Sequence, residues 1–273
     1  MVPAVAAPYV TPAGFAAVRE AGLCAWDFCG NAYIEAPGLL LSVQGRPNRF
    51  ADPDVVRSAF SPKASRVARL LLSEPEDDWT VTSLAEAAAI DKGYSSRVVS
   101  RLSEMQAVDS GDDGRIRVVD AGLILDSWLS RYRPTSEKPA RYFVPLDDPE
   151  AAMRKVSRAL EGSKVRGAFT GSAGANLLEP YMRAGRLDLY WEGALEVVEQ
   201  AAALSPAERG ANFVVYRPYD AFVFHDRREV RGVPVVSDLQ LYLDLAHAGG
   251  RASEQAESFR EKVIAGAGTG GRG

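Results

Sequence analysis

Serine and arginine residues between Ser95 and Arg101 are spaced so that their side chains could contact nucleic acid together. Tyr94, Val98, Leu102 and Met105 recur at helical intervals, which predicts one buried helix face. The other face carries Ser95, Ser96, Arg97, Ser100 and Arg101, and Lys92 precedes it. Because hydroxyl and guanidinium groups bind phosphates and base edges in a major groove, this face predicts DNA recognition.

The elements around this helix must hold it against DNA. A helix over Ser83–Ala89, with Ser83 as its cap, is expected to precede a glycine turn at Asp91-Lys92-Gly93. A hairpin follows, with its turn at Gly111–Gly114 and a strand over Arg115–Val119. That strand places Arg115 and Arg117 on one side, where they could lie along a phosphate backbone.

Further elements complete this region. A helix over Ser65–Ser73 is predicted first, a short strand over Trp79–Thr82 is expected to pair with the hairpin, and a helix over Leu123–Tyr132 closes the unit. The order of helix, turn, helix and hairpin is typical of winged helix-turn-helix regulators. A cationic face alone is more often solvated surface, but the joint pattern favours DNA binding.

The overall charge limits how such a protein could bind. The net charge of −4 and the pI near 5.4 argue against a chain that coats nucleic acid indiscriminately. Any DNA binding must therefore be local. Acidic residues lie close to the proposed reading elements and count against it: Glu74, Glu76, Asp77, Asp78, Asp112 and Asp113.

The N-terminal segment offers weaker signals. A helix over Thr11–Ala21 and a hairpin of Ala32–Glu35 with Leu39–Gln44 are predicted. Asp27, Glu35 and the triplet Gln44-Gly45-Arg46 loosely resemble the catalytic pattern of restriction-endonuclease-like folds, but the carboxylate and lysine of the second strand are missing. A structural or docking role is the better prediction. Cys24 and Cys29 fit buried thiols rather than a metal site or a disulfide.

Residues 140–265 alternate strand and helix, which predicts a small α/β domain. Helices are predicted over Pro149–Leu160 and around Ala173–Tyr181, a strand over Ala221–Phe224, and a later helix with Ser237 as its cap. Within it Phe169-Thr170-Gly171-Ser172, followed by Asp188-Leu189-Tyr190-Trp191, resembles the nucleotidyltransferase superfamily. That resemblance implies a glycine-serine turn that holds the nucleotide phosphates. It also implies two acidic residues, two positions apart on the next strand, that bind magnesium ions. Tyr190 stands at the second acidic position, and one carboxylate cannot clamp two metals. Gly171, Ser172 and Asp188 are therefore expected to form a vestigial nucleotide site, or simply turn and strand.

A longer resemblance covers about residues 61–264. The run VVSDLQLYLDLAHAGGRASEQAESFREKVI, preceded by YRPYDAFVF and GSAGANLLEPYMRAGRLDLYW, resembles the C-terminal domain of the AbiEi family of type IV toxin-antitoxin systems. The resemblance implies a bacterial regulator whose winged helix binds inverted repeats in its own promoter. It also implies that the C-terminal domain helps to neutralise a nucleotidyltransferase-type toxin. The extra segment 1–60 departs from that scheme.

These observations predict an α+β protein with a winged helix-turn-helix followed by an α/β nucleotidyltransferase-like domain. The boundaries are 1–60, 61–133, a linker 134–140, 141–265 and a tail 266–273. We expect a regulator that binds double-stranded DNA, uses no cofactor or metal, catalyses no reaction and forms a homodimer. We expect it to be cytoplasmic, because no apolar run or basic leader indicates a membrane or export. Three alternatives remain open: a divergent magnesium-dependent nucleotidyltransferase, a nuclease around Asp27, and a protein-interaction module that uses the winged helix.

Overall fold

A computed structural model describes residues 3–10, 12–46, 59–74, 78–135, 137–163, 165–202, 204–207 and 209–269. It is 44% helix and 20% strand, which confirms the mixed α+β class. No helix in those ranges is long and apolar enough to cross a membrane. Two of the acids near the proposed reading elements, Glu76 and Asp77, lie outside the described residues, as does the end of the predicted tail, 270–273.

The described residues form ten α-helices and thirteen β-strands. The helices are α1 (Pro12–Glu20), α2 (Ser65–Ser73), α3 (Val81–Ala87), α4 (Lys92–Glu104), α5 (Ala121–Leu129), α6 (Pro149–Leu160), α7 (Gly171–Asn176), α8 (Leu195–Ala202), α9 (Asp238–Ala248) and α10 (Arg251–Thr269). The strands are β1 (Ala4–Ala7), β2 (Cys24–Asp27), β3 (Ala32–Ala36), β4 (Leu39–Val43), β5 (Val108–Ser110), β6 (Ile116–Val118), β7 (Ala140–Phe143), β8 (Gly167–Thr170), β9 (Leu187–Trp191), β10 (Ser205–Pro206), β11 (Phe213–Tyr216), β12 (Arg228–Val230) and β13 (Val233–Val235). Short 3₁₀ turns lie at Glu161–Ser163 and Ala221–Phe224.

The N-terminal segment is a four-stranded sheet in the order β1-β2-β3-β4, with β1 parallel to β2 and the remaining pairs antiparallel. The predicted helix and hairpin are both present. Helix α1 packs Phe15 against Ala25 and Tyr33, and these residues form a small core of their own. The helix is followed by Gly22 at φ +68°, a left-handed conformation that glycine adopts without strain.

The next segment contains the four helices and the hairpin that the sequence predicts, with different boundaries at α3 and α5. Helix α5 spans Ala121–Leu129 instead of Leu123–Tyr132, because Asp120 caps it by accepting the Leu123 N–H. The cap of α3 is Thr80, whose Oγ1 accepts the Ser83 backbone N–H at 3.1 Å, and Ser83 Oγ accepts the Thr80 N–H in return. Ser83 is thus the third residue of α3 and not its cap. The predicted strand over Trp79–Thr82 is also wrong, because α3 begins at Val81. Trp79 still joins the hairpin, since its carbonyl accepts the Ile116 N–H at 2.7 Å.

The turn between α3 and α4 is displaced in the same way. Asp91 is the N-cap of α4, and its carboxylate accepts the Tyr94 N–H at 2.8 Å. The turn at Asp91-Lys92-Gly93 is therefore a wrong prediction, because Lys92 and Gly93 are already helical. The chain reverses at Ala89, which takes φ +52° without being glycine.

The C-terminal part is built on a seven-stranded mixed sheet in the order β10-β7-β11-β9-β8-β13-β12. The predicted helix α6 and the Ser237 cap of α9 are confirmed, and Ser237 Oγ accepts the Gln240 N–H. Two predictions are corrected. Residues 221–224 form a 3₁₀ turn instead of a strand, because Asp220 caps it by accepting the Phe222 N–H. The helix expected over Ala173–Tyr181 is α7 and ends at Asn176.

One hydrophobic core runs from Ala59 to Ala267 and includes both the helical segment and the seven-stranded sheet. Helix α2 packs on α9 and α10 as well as on α3 and α4. Helix α5 buries Trp128, whose ring stacks on Phe60 at 5.8 Å between centroids. The buried side of α5 is thus used in this core, as its apolar pattern predicts.

Candidate functional site

The outer face of α4 presents a polar, cationic surface. The side chains of Lys92, Ser96, Arg97 and Ser100 are exposed, and that of Arg101 is partly exposed. These five residues are called the α4 face. The opposite side of the helix buries Val98, Leu102 and Met105, as the helical spacing predicts.

Ser95 does not belong to the α4 face. It is fully buried, and its Oγ donates to the Val81 carbonyl at 3.1 Å. The prediction that Ser95 faces outward is wrong, because the close crossing of α3 and α4 leaves room only for a small side chain at this position. Ser95 therefore fixes the first turn of α4 against α3.

The charges of the α4 face are not neutralised within the described residues. Arg97 lies over the Tyr94 ring at 5.6 Å from the centroid, a cation–π arrangement that holds the guanidinium beside the helix. No carboxylate among the described side chains lies within ion-pair distance of Lys92, Arg97 or Arg101. These cations are consequently available to an anionic partner.

The hairpin of β5 and β6 presents its arginines differently. Ile116 is buried between Arg115 and Arg117, which are both exposed, so the predicted alternation is confirmed. Arg117 Nη2 lies 2.6 Å from Asp113 Oδ2, and Arg115 Nη1 lies 2.8 Å from Asp78 Oδ1. The hydrogen bond from Arg117 is the main reason why the pKa of Asp113 lies below its usual range. Both arginines would have to leave these carboxylates to grip phosphates.

The C-terminal sheet brings Gly171, Ser172 and Asp188 to the wall of one cavity of about 490 Å³, which we call the central cavity. Gly171 takes φ +61°, and a Cβ there would lie 2.7 Å from Asp188 Oδ2, so the close approach of the two residues requires glycine. Asp188 pairs with Arg186 at 3.0 Å and accepts the Tyr216 hydroxyl at 3.0 Å. Burial raises the pKa of the Asp188 carboxyl.

Tyr190 also lies in this cavity wall, two residues after Asp188. Its hydroxyl donates to Asp244 Oδ1 at 2.8 Å, and that oxygen also accepts the Tyr132 hydroxyl. Asp244 Oδ2 accepts Thr170 Oγ1 at 2.6 Å and Gln240 Nε2 at 3.2 Å. The four hydrogen bonds occupy the acceptor sites of the carboxylate.

Residues 117–265 match the model of a family described as "Transcriptional regulator, AbiEi antitoxin, Type IV TA system". The match covers more than half of the chain. The chain belongs to the AbiEi antitoxin family. The resemblance to this family that the sequence shows is thereby confirmed. No curated protein and no solved structure matches the chain.

In this AbiEi-family chain, the matched range begins in the hairpin at β6 and ends within α10, so it contains the central cavity. Helices α2, α3 and α4 precede the matched range. The family therefore shows a transcriptional regulator and antitoxin of a type IV system, while the DNA contacts of α4 must be argued from its own geometry.

The nuclease alternative around Asp27 has a simpler structural explanation. The Asp27 carboxylate accepts backbone N–H groups from Val10, Cys29 and Asn31 at 2.9 to 3.1 Å and the Asn31 side-chain amide at 2.8 Å. A carboxylate with four such donors organises the turn after β2 and has no free oxygen lone pair directed at a metal. Asp27 is thus a structural residue of the AbiEi-family chain.

Two polar residues of this AbiEi-family chain escape prediction from the sequence. Asp244 interrupts the apolar sequence of α9 four residues after Gln240, and Arg69 lies within the apolar run of α2. The signal that could have identified them is a charged residue on a helix face that is otherwise apolar. A separate cluster of Glu74, His225 and Asp226 could hold a metal ion: His225 Nε2 lies 2.9 Å from Glu74 and 3.4 Å from Asp226.

Proposed function

We propose that this chain is a sequence-specific DNA-binding autorepressor, the antitoxin of a type IV toxin-antitoxin pair. The single observation that carries the proposal is the α4 face: a helix with exposed serines and arginines, held by α2 and α3, with no carboxylate partner among the described residues. A helix with these properties is suited to a DNA major groove.

In this proposal residues 61–133 form a winged helix-turn-helix unit. Helix α4 is its recognition helix and the hairpin of β5 and β6 is its wing. Residues 1–60 form the N-terminal unit, 134–140 a connection and 141–265 the C-terminal unit. Of the predicted tail 266–273, residues 266–269 continue α10 and Ala267 lies in the core. These units differ in their proposed roles but do not have separate cores, because the hydrophobic core continues from the helical unit into the C-terminal unit.

The residues of the α4 face have distinct roles in the proposal. Arg97 and Arg101 contact base edges or phosphates, and Ser96 and Ser100 donate hydroxyl hydrogen bonds beside them. Lys92, at the start of α4, anchors the helix on a phosphate. Arg115 and Arg117 reach the backbone from the wing, at the cost of their pairs with Asp78 and Asp113.

The DNA partner is the inverted repeat of its own promoter, read by a homodimer, since a two-fold axis in the protein matches a two-fold axis in the site. The functional partner is a nucleotidyltransferase-type toxin. In the C-terminal unit, a nucleotidyltransferase-like arrangement around Gly171, Ser172 and Asp188 would lack the second metal-binding acid. Tyr190 occupies that position and its hydroxyl is already bound to Asp244.

One observation favours a second candidate function, in which the winged helix docks on a protein. The wing arginines are paired with Asp78 and Asp113, and a mixed-charge hairpin suits a protein surface better than a phosphate backbone. The uncompensated cations of α4 favour DNA over this alternative.

The test is binding of the purified full chain to a labelled duplex from its own upstream region, at two salt concentrations, beside a scrambled duplex. The proposal predicts preference for the upstream duplex and an affinity that falls steeply with salt, because each phosphate contact releases a counterion. Equal affinity for both duplexes, or no binding at low salt, would exclude sequence-specific regulation and leave the docking function.

A further inference from the structure

The central cavity is built from several separate chain segments. The end of β8, the loop before β9, strand β9, the end of β11 and helix α9 all contribute to its wall, together with the segment before β7. Its volume of about 490 Å³ lies within the range of small-molecule sites. A cavity of this size can hold a small organic molecule.

The charge of the lining favours an anion. Arg141 and Arg183 are exposed at the cavity, and no described carboxylate forms an ion pair with either side chain. Arg186 is the third arginine and already pairs with Asp188. The second carboxylate, Asp244, is occupied by its four hydrogen bonds and is buried enough that its pKa is raised. Two arginines thus remain for the ligand.

The rest of the wall is largely apolar or aromatic. Pro134, Pro139, Met182 and Leu245 line it, and the rings of Tyr190 and Tyr216 lie 5.7 Å apart in a tilted arrangement. Arginine pairs match the oxygens of a phosphate dianion in charge and in planar geometry. The lining therefore suits a phosphate group that carries a compact organic body.

A chain of hydrogen bonds leads from the cavity to helix α2. Asp244 lies in the cavity wall and accepts Gln240 Nε2, while Gln240 Oε1 accepts Arg69 Nη2 at 2.7 Å. Gln240 is fully buried, so both ends of its amide are committed and it cannot turn without breaking one bond. Gln240 Nε2 also donates to the Tyr132 hydroxyl at 2.6 Å, and that hydroxyl donates to Asp244, so Asp244 is coupled to Gln240 and Arg69 both directly and through Tyr132.

Arg69 is sensitive to a shift of Asp244 because it is a buried cation that pairs with none of the described carboxylates. It is held by Gln240, by the Tyr219 hydroxyl at 3.1 Å and by the Trp128 ring at 5.3 Å from its centroid. Its Nη1 has no hydrogen-bond partner among the described residues. An unsatisfied donor on a buried cation is energetically costly, so a further loss of its hydrogen bonds would destabilise this position of Arg69. Arg69 lies in α2, which packs against α3 and α4.

We infer that the central cavity is an effector site for a small phosphorylated molecule, whose occupancy reaches helix α2 through Asp244, Gln240 and Arg69. The part of this inference that concerns regulation rests on the proposed DNA-binding function. The part that concerns the ligand does not, because it uses only the cavity.

The ligand is tested by calorimetry on the full chain without DNA, with AMP, inorganic pyrophosphate and succinate as probes. We expect AMP or pyrophosphate to bind, and expect binding to weaken about a hundredfold in the double variant Arg141→Ala with Arg183→Ala, since each lost charged hydrogen bond is worth about a factor of ten. Arg154→Ala, outside the cavity, is the control. Binding of AMP but not of pyrophosphate indicates that the organic body is recognised. Binding of both AMP and pyrophosphate indicates that the phosphate group is recognised. Binding of succinate only, or of no probe, overturns the effector site.

The connection is tested by the affinity for the upstream duplex with and without the bound probe. Allosteric coupling is typically 5-fold or more. The double variant Arg69→Met with Gln240→Met removes two side chains that bond to each other, so neither is left without the other. Asp244 keeps its donors from Thr170, Tyr190 and Tyr132. We expect it to bind the probe with a DNA affinity that no longer responds. An unchanged response overturns the connection. If the wild-type protein binds no DNA in either state, the proposed function and the connection both fail, while the calorimetry still decides the site.

Discussion

The guanidinium of Arg66 in α2 forms a bidentate ion pair with the carboxylate of Asp220, with Nε–Oδ1 at 2.9 Å and Nη2–Oδ2 at 2.8 Å. Arg66 Nη1 also donates to the Ala88 carbonyl at the end of α3. Asp220 belongs to the C-terminal unit, where it caps the 3₁₀ turn. One arginine thus joins α2, α3 and the C-terminal unit, and α4 packs on both of these helices.

The first prediction concerns this ion pair. Arg66 and Asp220 side chains are only 14% and 7% exposed, so Arg66→Ala leaves a buried carboxylate without its cation. We expect a loss of about 3–5 kcal/mol in the free energy of unfolding, measured with denaturant. The control is Arg154→Ala, which breaks a more exposed pair with Glu150 in α6 and should cost about 0.3–0.5 kcal/mol. Equal losses would show that Arg66 does not hold the two units together.

The second prediction separates the α4 face from the wing. Arg97→Ala should weaken binding to the upstream duplex by about 1–3 kcal/mol if Arg97 contacts a base edge, and should relax specificity at that position. Arg117→Ala should cost less, because Arg117 must first break its ion pair with Asp113 to contact a phosphate, and this reduces its net contribution to DNA binding. The slope of log affinity against log salt, measured for each variant, shows how many phosphates the protein still neutralises. A greater weakening in Arg117→Ala than in Arg97→Ala would place the main DNA contact on the wing.

The third prediction concerns the close approach of Gly171 and Asp188. The methyl group of an alanine at position 171 would lie 2.7 Å from Asp188 Oδ2, and the alanine backbone would have to adopt φ +61°. Gly171→Ala should therefore destabilise the protein by about 1–2 kcal/mol or more, because the left-handed conformation alone has that cost. Gly162→Ala is the matched control, since nothing lies within 4 Å of its Cβ position and its φ is not left-handed. Thermal unfolding of the two variants measures the difference, and equal stability would mean that Asp188 moves away freely.

The fourth prediction concerns acid sensitivity at Asp27. Burial raises the pKa of its carboxyl, but the hydrogen bonds from Asn31, Val10 and Cys29 outweigh burial and hold the pKa below its ordinary value. A lowered pKa in the folded state means that this stabilisation is present above the unfolded value of about 3.9 and is lost as the pH falls through the folded value. The protection of the Asn31 amide against hydrogen exchange, relative to its intrinsic rate at each pH, should therefore fall in acid.

Asp27→Asn gives the control for that measurement, because asparagine does not titrate. The difference in Asn31 protection between the wild-type protein and the variant should be constant above about pH 5 and should shrink below about pH 4. A difference that widens on acidification would contradict a lowered pKa.

The sequence predicts that a helix or strand is present more accurately than it predicts the residues at which that helix or strand begins and ends. The spacing of Val98, Leu102 and Met105 identifies the buried face of α4 correctly, since helical periodicity depends on local pattern alone. The roles predicted for Ser83 and Asp91 are wrong because several capping residues lie close together, and tertiary packing around Trp79 decides where α3 starts. Cap signals alone could not resolve that choice.

The C-terminal site shows a different limit. Gly171, Ser172 and Asp188 are recognisable by their order, but the hydrogen bonds among Asp244, Gln240 and Arg69 join residues as far as 171 positions apart. No spacing rule connects positions at that separation. The charged residues themselves are visible in apolar helices, and only the fold shows which buried partners they have.

The most direct test of the central claim is DNA cleavage from a reagent tethered to the α4 face. Ser96→Cys carries an iron chelate that cuts nearby DNA, and Ser253→Cys, exposed in α10, carries the same reagent as the control. Cys24 and Cys29 are buried, so the new thiol should be labelled selectively. The proposal predicts discrete cuts in the upstream duplex from position 96, symmetric about the inverted repeat, and none from position 253. Cleavage from position 253 alone, or diffuse cleavage from both positions, would contradict recognition of DNA by α4.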